Sequence, residues 1–413
     1  NHMKIIIRNC NVAELDIPLK YAMKLYNEFA IRHPNAFYLR TRQRGMQNWD
    51  GKIKYITKTG QFKIGLLPSV YKRCIELGIK PIIVDMRQPL PKVSKVVTQI
   101  GKYKLRPEQE KAVKAILSNK LGETPFQIGV LDYTVNAGKT LIMSALYLSY
   151  KKQLKTLLIT NDSDWLNQAR DEFKQYLPGE DITFVQGKVL NWSNFTIGMV
   201  QSISRNMRYY QNELAKIDMV LIDEADQGGS KQYQNVITRL FNTRVRIGLS
   251  GTIYMSKLAK DKVKNMNLRC FFGDVLAEFK LKDSIKKGYS TKTIVKTVEG
   301  KPWFGNWESD CMSYNEIYDD SITNNKIAWT MALDRLKWNL NQGRYPALVV
   351  CKHIAHCENL CKFFKKKLDN KYNIACVHVN THTKLRQQIM KDFREGKIDI
   401  LVSTTIIARG KNF

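Results

Sequence analysis

No apolar run in the 413-residue chain approaches the ~20 residues that a membrane-spanning helix needs. The opening stretch, Met3 to Ile7, is apolar but is broken at once by Arg8 and Asn9, so it lacks the long apolar segment of a secretory signal. These absences predict a cytoplasmic protein with no membrane partner. Asn1 and His2 precede Met3 and read as a tag remnant, left out of the fold reasoning. Cysteine is sparse: eight are present, none in a CxxC pair, which predicts reduced thiols rather than a disulfide framework. Internal repeats and low-complexity tracts are missing too. Acidic residues are in deficit, 37 against 67 lysines and arginines, for a formal charge of +30. A protein that is merely soluble mixes its charges, so this excess points to a polyanionic partner.

One cluster has residue types that zinc accepts: Cys351, His353, His356, Cys357 and Cys361. It follows the apolar run Ala347 to Val350, which reads as a buried strand entering a helix, where cysteine serves as a small apolar residue. No zinc site is assigned.

With 44% hydrophobic residues, the chain can fill two or three cores. Residues 3–95 hold short strand-like and helical runs rich in basic and aromatic residues and close on Pro89 and Pro91. They are expected to form a small α+β domain. From residue 99, strand-length apolar runs alternate with helix-length segments, the pattern of parallel α/β sheets. Strands are expected at Ile128 to Asp132, Thr156 to Thr160, Ile217 to Asp223 and Val245 to Leu249. A helix is expected over Asp164 to Tyr176, capped by Asp162 or Ser163. A second series begins near Ile322, with strands at Ala347 to Val350, Ile374 to Val379 and Ile398 to Val402. The expected domains are 3–95, 99–276 and 277–413, with 253–321 unassigned in detail.

The segment Tyr133-Thr-Val-Asn-Ala-Gly-Lys-Thr140 leaves a strand and opens a helix, the place of a phosphate-binding loop. Backbone N–H groups at a helix start, here from Asn136, Ala137 and Gly138 onward, attract phosphate oxygens. Lys139 would neutralise the β and γ phosphates of ATP, and Thr140 would hold Mg²⁺. Tyr133 stands where the strict pattern has its first glycine. Asp223-Glu-Ala-Asp226 follows the apolar strand Met219 to Ile222. A carboxylate there suits Mg²⁺, so Asp223 is the second metal ligand, and Glu224 would orient or deprotonate the attacking water.

With these two elements in order, the chain resembles the superfamily 2 helicases from about Leu105 to its last residue. The resemblance implies two RecA-like domains with ATP and Mg²⁺ between them, the second domain incomplete. Leu105-Arg-Pro-Glu-Gln109 resembles the adenine-reading element, which gives Arg106 and Gln109 a place beside the base. Asn136 replaces a usual glycine and tolerates a positive φ. Thr160 to Gln168 and Val200-Gln201-Ser202 resemble motifs that touch a nucleic-acid backbone, implying contacts by Thr160, Gln201 and Ser202. Asp226, Ser250 and Thr252 fall where the family couples hydrolysis to domain movement. Val349 to Lys352 resembles motif IV. Ser403 to Gly410 resembles motif V, with Thr404 on a phosphate and Gly410 facing the nucleotide. The family's next motif, with its arginine finger, is not in the sequence, so the natural protein is expected to be longer.

Asn48-Trp-Asp-Gly51, within Tyr38 to Leu67, resembles the first domain of phage helicases of the UvsW type, which implies branched or forked DNA as partner. Arg40 to Lys63 holds seven basic residues and one acidic one, with Tyr38, Trp49, Tyr55 and Phe62 interleaved. Arg40, Arg42, Arg44 and Lys52 are the phosphate contacts expected there, while Trp49 and Phe62 read rather as core. Asp50-Gly51 also reads as a hairpin turn. A monomer is expected. Three alternatives stay open: an RNA helicase of the DEAD-box class, favoured by the literal Asp-Glu-Ala-Asp, a double-stranded DNA translocase of the restriction-motor kind, and a nucleic-acid-binding protein with a degenerate motor.

Overall fold

A computed structural model of the chain describes residues 3–42, 45–187, 189–254, 258, 261–292, 294–297, 299, 313–369 and 371–405. It divides into two compact units, Asn1–Lys292 and Thr293–Phe413. Among the described residues, no helix is long and apolar enough to cross a membrane.

Unit 1 opens with strands β1 (Lys4–Ile7), β2 (Val12–Asp16), β3 (Ala30–Arg32), β4 (Lys52–Lys54), β5 (Gln61–Lys63) and β6 (Ile82–Asp85). β5, β2, β1 and β6 form one sheet in that order, and β3 pairs antiparallel with β4. Alternation places Ile5 and Ile7 of β1 and Ala13 and Leu15 of β2 inside. Helices α1 (Leu19–Glu28) and α3 (Leu67–Glu76) send Leu25, Val70 and Cys74 into the same core. Between β3 and β4 runs an excursion carrying α2 (Ala36–Arg42). Asp50-Gly51 is therefore not the turn of a tight hairpin: its strand pairs across the whole excursion. Gly51 has φ +76, and the Asp50 carboxylate accepts from the Lys52 N–H at 2.9 Å. Phe62 is core, and the half-buried Trp49 donates from Nε1 to the Lys52 carbonyl at 3.0 Å.

The main sheet has eight strands: β7 (Ile128–Tyr133), β8 (Thr156–Thr160), β9 (Ile182–Gln186), β10 (Val189–Leu190), β11 (Phe195–Met199), β12 (Met219–Asp223), β13 (Val245–Ser250) and β14 (Val275–Phe279). Their order is β10-β9-β11-β8-β12-β13-β7-β14, all parallel except β10. Parallel strands are covered on both faces, which is why β8 and β12 are buried at every position. Leu131, Leu158 and Leu221 point to a core shared with α4 (Pro107–Leu117), α5 (Lys139–Ser149) and α6 (Ser163–Tyr176). Val130, Leu157, Ile159 and Val220 point the other way, toward α7 (Val200–Arg205), α9 (Lys231–Ile237) and α10 (Lys262–Phe272). α8 is Met207–Leu214.

That second core continues without a break into the small N-terminal sheet. Arg246, 1% exposed on β13, crosses the seam: its Nη2 donates to the Cys10 carbonyl at 2.9 Å and to Asn11 Oδ1 at 2.6 Å. Asp85 on β6 receives both Arg87, at 2.8 Å, and Arg244, at 3.2 Å. Burial lowers the Arg246 pKa to about 10. Unit 1 also runs past residue 276, where the sequence reading ended the first α/β domain. β14 lies along β7 as the edge strand of the sheet, and α11 (Leu281–Lys286) follows it.

Unit 2 holds a parallel sheet in the order β15 (Ala347–Cys351), β17 (Ile400–Thr404), β16 (Ile374–Val377). The helices Lys326–Asn341 and Ile354–Lys367 pack their apolar faces against it. Cys351, Cys357 and Cys361 are buried in this core, and the Cys357 and Cys376 sulfurs lie 3.4 Å apart. His353 pairs with Asp319 at 2.7 Å.

Candidate active site

In open parallel sheets, ligands sit beyond the carboxyl ends of the strands. At that edge of unit 1, β7, β13 and β12 are neighbours, and each ends in a motif singled out from the sequence. After β7 the chain turns through Thr134 to Gly138 and enters α5 at Lys139. Asn136 has φ +65 and Gly138 φ +73, so both occupy the left-handed region. The positive φ of Gly138 suits glycine, and a Cβ there would also displace Gln109 Nε2, which lies 2.3 Å from that position. Tyr133 is the last strand residue, not a loop member. It is fully buried, and its hydroxyl donates to the Glu108 carbonyl at 2.6 Å.

Lys139 Nζ lies 3.7 Å from Asp223 Oδ1, which joins the phosphate loop to the acid motif. Thr140 and Asp223 are 7% and 6% exposed. Burial pushes the Asp223 carboxyl above its ordinary range, and the Lys139 ammonium opposes that shift. A carboxylate and a hydroxyl are hard oxygen donors, so Asp223 and Thr140 fit Mg²⁺. Glu224 adopts φ +53, a strained conformation for a side-chain-bearing residue, of the sort found at functional turns. The Ser250 hydroxyl donates to Asp226 Oδ1 at 3.2 Å and accepts from the Thr252 N–H, also at 3.2 Å. The three residues expected to couple hydrolysis to movement thus form one hydrogen-bonded chain.

The other expected contacts divide. Gln109 is 1% exposed: its Oε1 accepts from the Arg106 N–H at 2.8 Å, and its Nε2 donates to the Ala137 carbonyl at 2.9 Å. It braces the phosphate loop. Arg106 reaches the Asn136 carbonyl through Nη2 at 3.3 Å. Thr160 is 1% exposed, and its hydroxyl accepts from the Asp162 N–H at 3.1 Å, so the surface of that motif belongs to the residues after it. Gln201 is half-buried and donates to the Asn161 carbonyl at 3.4 Å, and the Ser202 hydroxyl accepts from the Gly187 N–H at 2.9 Å. Arg40 and Arg42 on α2 and Lys52 on β4 are exposed. Arg44 lies outside the described residues. In unit 2, Thr404 ends β17 and is 7% exposed, while Gly410 falls outside the described residues.

Sequence reasoning missed the residues that frame the loop from the other side. Lys280 pairs with the buried Asp132, and Lys287 reaches Glu108 Oε2 at 2.7 Å. No motif flagged them, because they follow a strand that the sequence did not reveal.

Residues 102–255 match the family model of the type III restriction enzyme res subunit, and residues 330–413 match that of the helicase conserved C-terminal domain. The two matches together take in more than half of the chain, and the phosphate loop, acid motif and Ser250 lie within the first. The chain belongs to the superfamily 2 helicases. Both of its α/β domains are RecA-like, and the helicase is an ATP-dependent enzyme that acts on nucleic acid. The ATP-dependent DNA helicase uvsW of Enterobacteria phage T4 is 23% identical over 387 residues, covering 86% of this chain and 72% of that protein. The ATP-dependent RNA helicase CHR1 of Candida albicans is 22% identical over 49% of this chain and 29% of its own length. Among solved structures, the UvsW helicase from bacteriophage T4 superposes with a TM-score of 0.54 at 21% identity, over 68% of this chain and 100% of that one. A structure of Mss116p bound to ssRNA and AMP-PNP gives 0.52 at 15% identity, over 79% and 69%. At these identities the structural likenesses establish the fold alone.

Proposed function

We propose that this helicase unwinds or branch-migrates DNA, with forks, Holliday junctions and R-loops as substrates, in recombination, repair or replication. The observation that carries the reading is the exposed basic surface of Arg40, Arg42 and Lys52, built on a domain that shares its core with the motor. The charge of +30 and the DNA helicase relative from phage T4 support it.

Lys139 and the loop N–H groups bind the triphosphate of ATP, and Glu224 orients the attacking water. Thr140 and Asp223 would hold Mg²⁺, which when bound would offset the negative charge of the phosphates. Lys139, 3.7 Å from Asp223, already sets one positive charge beside that carboxylate. Asp226, Ser250 and Thr252 pass a change at the acid motif to the end of β13. Grip on phosphates gives little sequence preference and an affinity that falls steeply with salt.

ATP hydrolysis measured with forked DNA, duplex DNA, single-stranded DNA and RNA tests this, alongside Glu224→Gln. Strongest stimulation by forked DNA, with the variant binding but not turning over, supports the reading. Strongest stimulation by RNA supports the second reading, an RNA helicase, which the Candida relative and the literal Asp-Glu-Ala-Asp favour. Duplex stimulation without fork unwinding identifies a translocase.

A further inference from the structure

Gln109 is buried against the phosphate loop, whereas its neighbour in the same motif, Arg106, reaches the surface. The Arg106 side chain is 30% exposed, and its Nη2 is tied to the Asn136 carbonyl. One face of its guanidinium is occupied: Cζ lies 4.4 Å from the centroid of the Tyr289 ring. Guanidinium groups stack on aromatic rings through both charge and planarity.

The backbone of Tyr289 is fixed by the end of α11, while the residue itself is 38% exposed. α11 stops at Gly288, whose φ of +74 suits glycine, and the turn closes with Gly288 N–H to the Ile285 carbonyl at 3.0 Å and Tyr289 N–H to the Ser284 carbonyl at 2.9 Å. That pair of bonds is the Schellman stop, which fixes the residue after the glycine. Ser284 is buried, and its hydroxyl lies 2.7 Å from that of Ser290. Lys287 to Glu108 and Lys280 to Asp132 pin the same segment onto the start of α4 and the end of β7.

We propose that Tyr289 is a positioning residue for nucleotide recognition. It holds the Arg106 guanidinium flat beside the phosphate loop, and the purine of ATP stacks on the face of Arg106 turned away from Tyr289. The proposal rests on reading Leu105 to Gln109 as the base side of the site. It also makes the chain segment that follows the first RecA-like domain part of the nucleotide pocket.

The test compares two ligands that share a triphosphate, ATP and inorganic tripolyphosphate, by calorimetric binding to the full chain with Mg²⁺. Tyr289→Ala should weaken ATP by about three- to tenfold and leave tripolyphosphate unchanged, while Tyr289→Phe, which keeps the ring, should restore ATP affinity. Equal weakening of both ligands would mean that Tyr289 merely supports the loop and would overturn the proposal, as would no change for ATP. Arg106→Ala separates the two layers. If it weakens ATP alone and Tyr289→Ala does nothing, the base-side reading stands without Tyr289. If Arg106→Ala leaves ATP unchanged, the base-side reading fails and the proposal falls with it.

Discussion

Ser250 donates its hydroxyl to the Asp226 carboxylate across 3.2 Å, linking the ends of two adjacent parallel strands, β12 and β13. The donor sits on one motif and the acceptor on another, so a shift in either is felt by both. A hydrogen bond to a charged acceptor contributes about 1.5–3 kcal/mol, enough to bias which arrangement the motor prefers. Ser250→Ala should keep ATP hydrolysis within about threefold of wild type yet lower fork unwinding by roughly tenfold or more. Paired ATPase and strand-separation assays on one preparation check this. Equal losses in both would place Ser250 in hydrolysis itself.

Asp223 should trade stability for chemistry. Burial raises its native pKa, so the folded chain holds that proton more tightly than the unfolded chain does. Its contribution therefore favours folding below the unfolded carboxylate value of about 3.9 and is lost as pH rises through the raised native value. At neutral pH, Asp223→Asn should melt about 2 °C higher than wild type while ATPase is abolished. The gap should narrow as pH falls toward 4. Melting curves at several pH values settle the sign, and a variant that melts lower at pH 7 contradicts it.

Asn136 supplies the left-handed turn that glycine usually supplies. Asn136→Gly should retain ATP binding. Asn136→Val, a β-branched residue that resists φ above zero, should weaken ATP by at least about tenfold. Calorimetry on the two variants distinguishes a backbone requirement from a need for the asparagine amide, which would make the glycine variant fail as well.

Arg246 holds the seam between the small sheet and the first RecA-like domain through the Cys10, Asn11 and Phe271 oxygens. Arg246→Met relieves a buried charge but strips three buried acceptors of their donor. The second effect should win, lowering stability by about 2 kcal/mol. Urea unfolding followed by tryptophan fluorescence measures the loss. An unchanged midpoint would show that the oxygens find other donors.

The motor was legible in the sequence because its chemistry follows directly on unbroken apolar runs. Thr156–Thr160 and Met219–Asp223 are buried on both faces, so each reads as a continuous run rather than an alternation, and the residues that end them mark the site edge. β14 was not legible. Glu278 and an exposed Val275 interrupt it, as an edge strand allows, and with it went Lys280, Lys287 and Tyr289. Motif resemblance also assigned Gln109 and Thr160 outward roles, whereas packing turned both inward. Position in a motif fixes which loop a residue sits on, not which way its side chain faces.

The continuous core under the N-terminal sheet has a practical corollary for dissecting the enzyme. Removing residues 3–95 would not release a self-sufficient engine. It would uncover Phe126, against which Arg87 lies, and Cys270, against which Gly65 packs, along with the Arg246 guanidinium, so that apolar surface and a buried charge meet water together. The first domain is thus one wall of the engine block, and the fragment lacking it should clump before any question about its substrate can be asked.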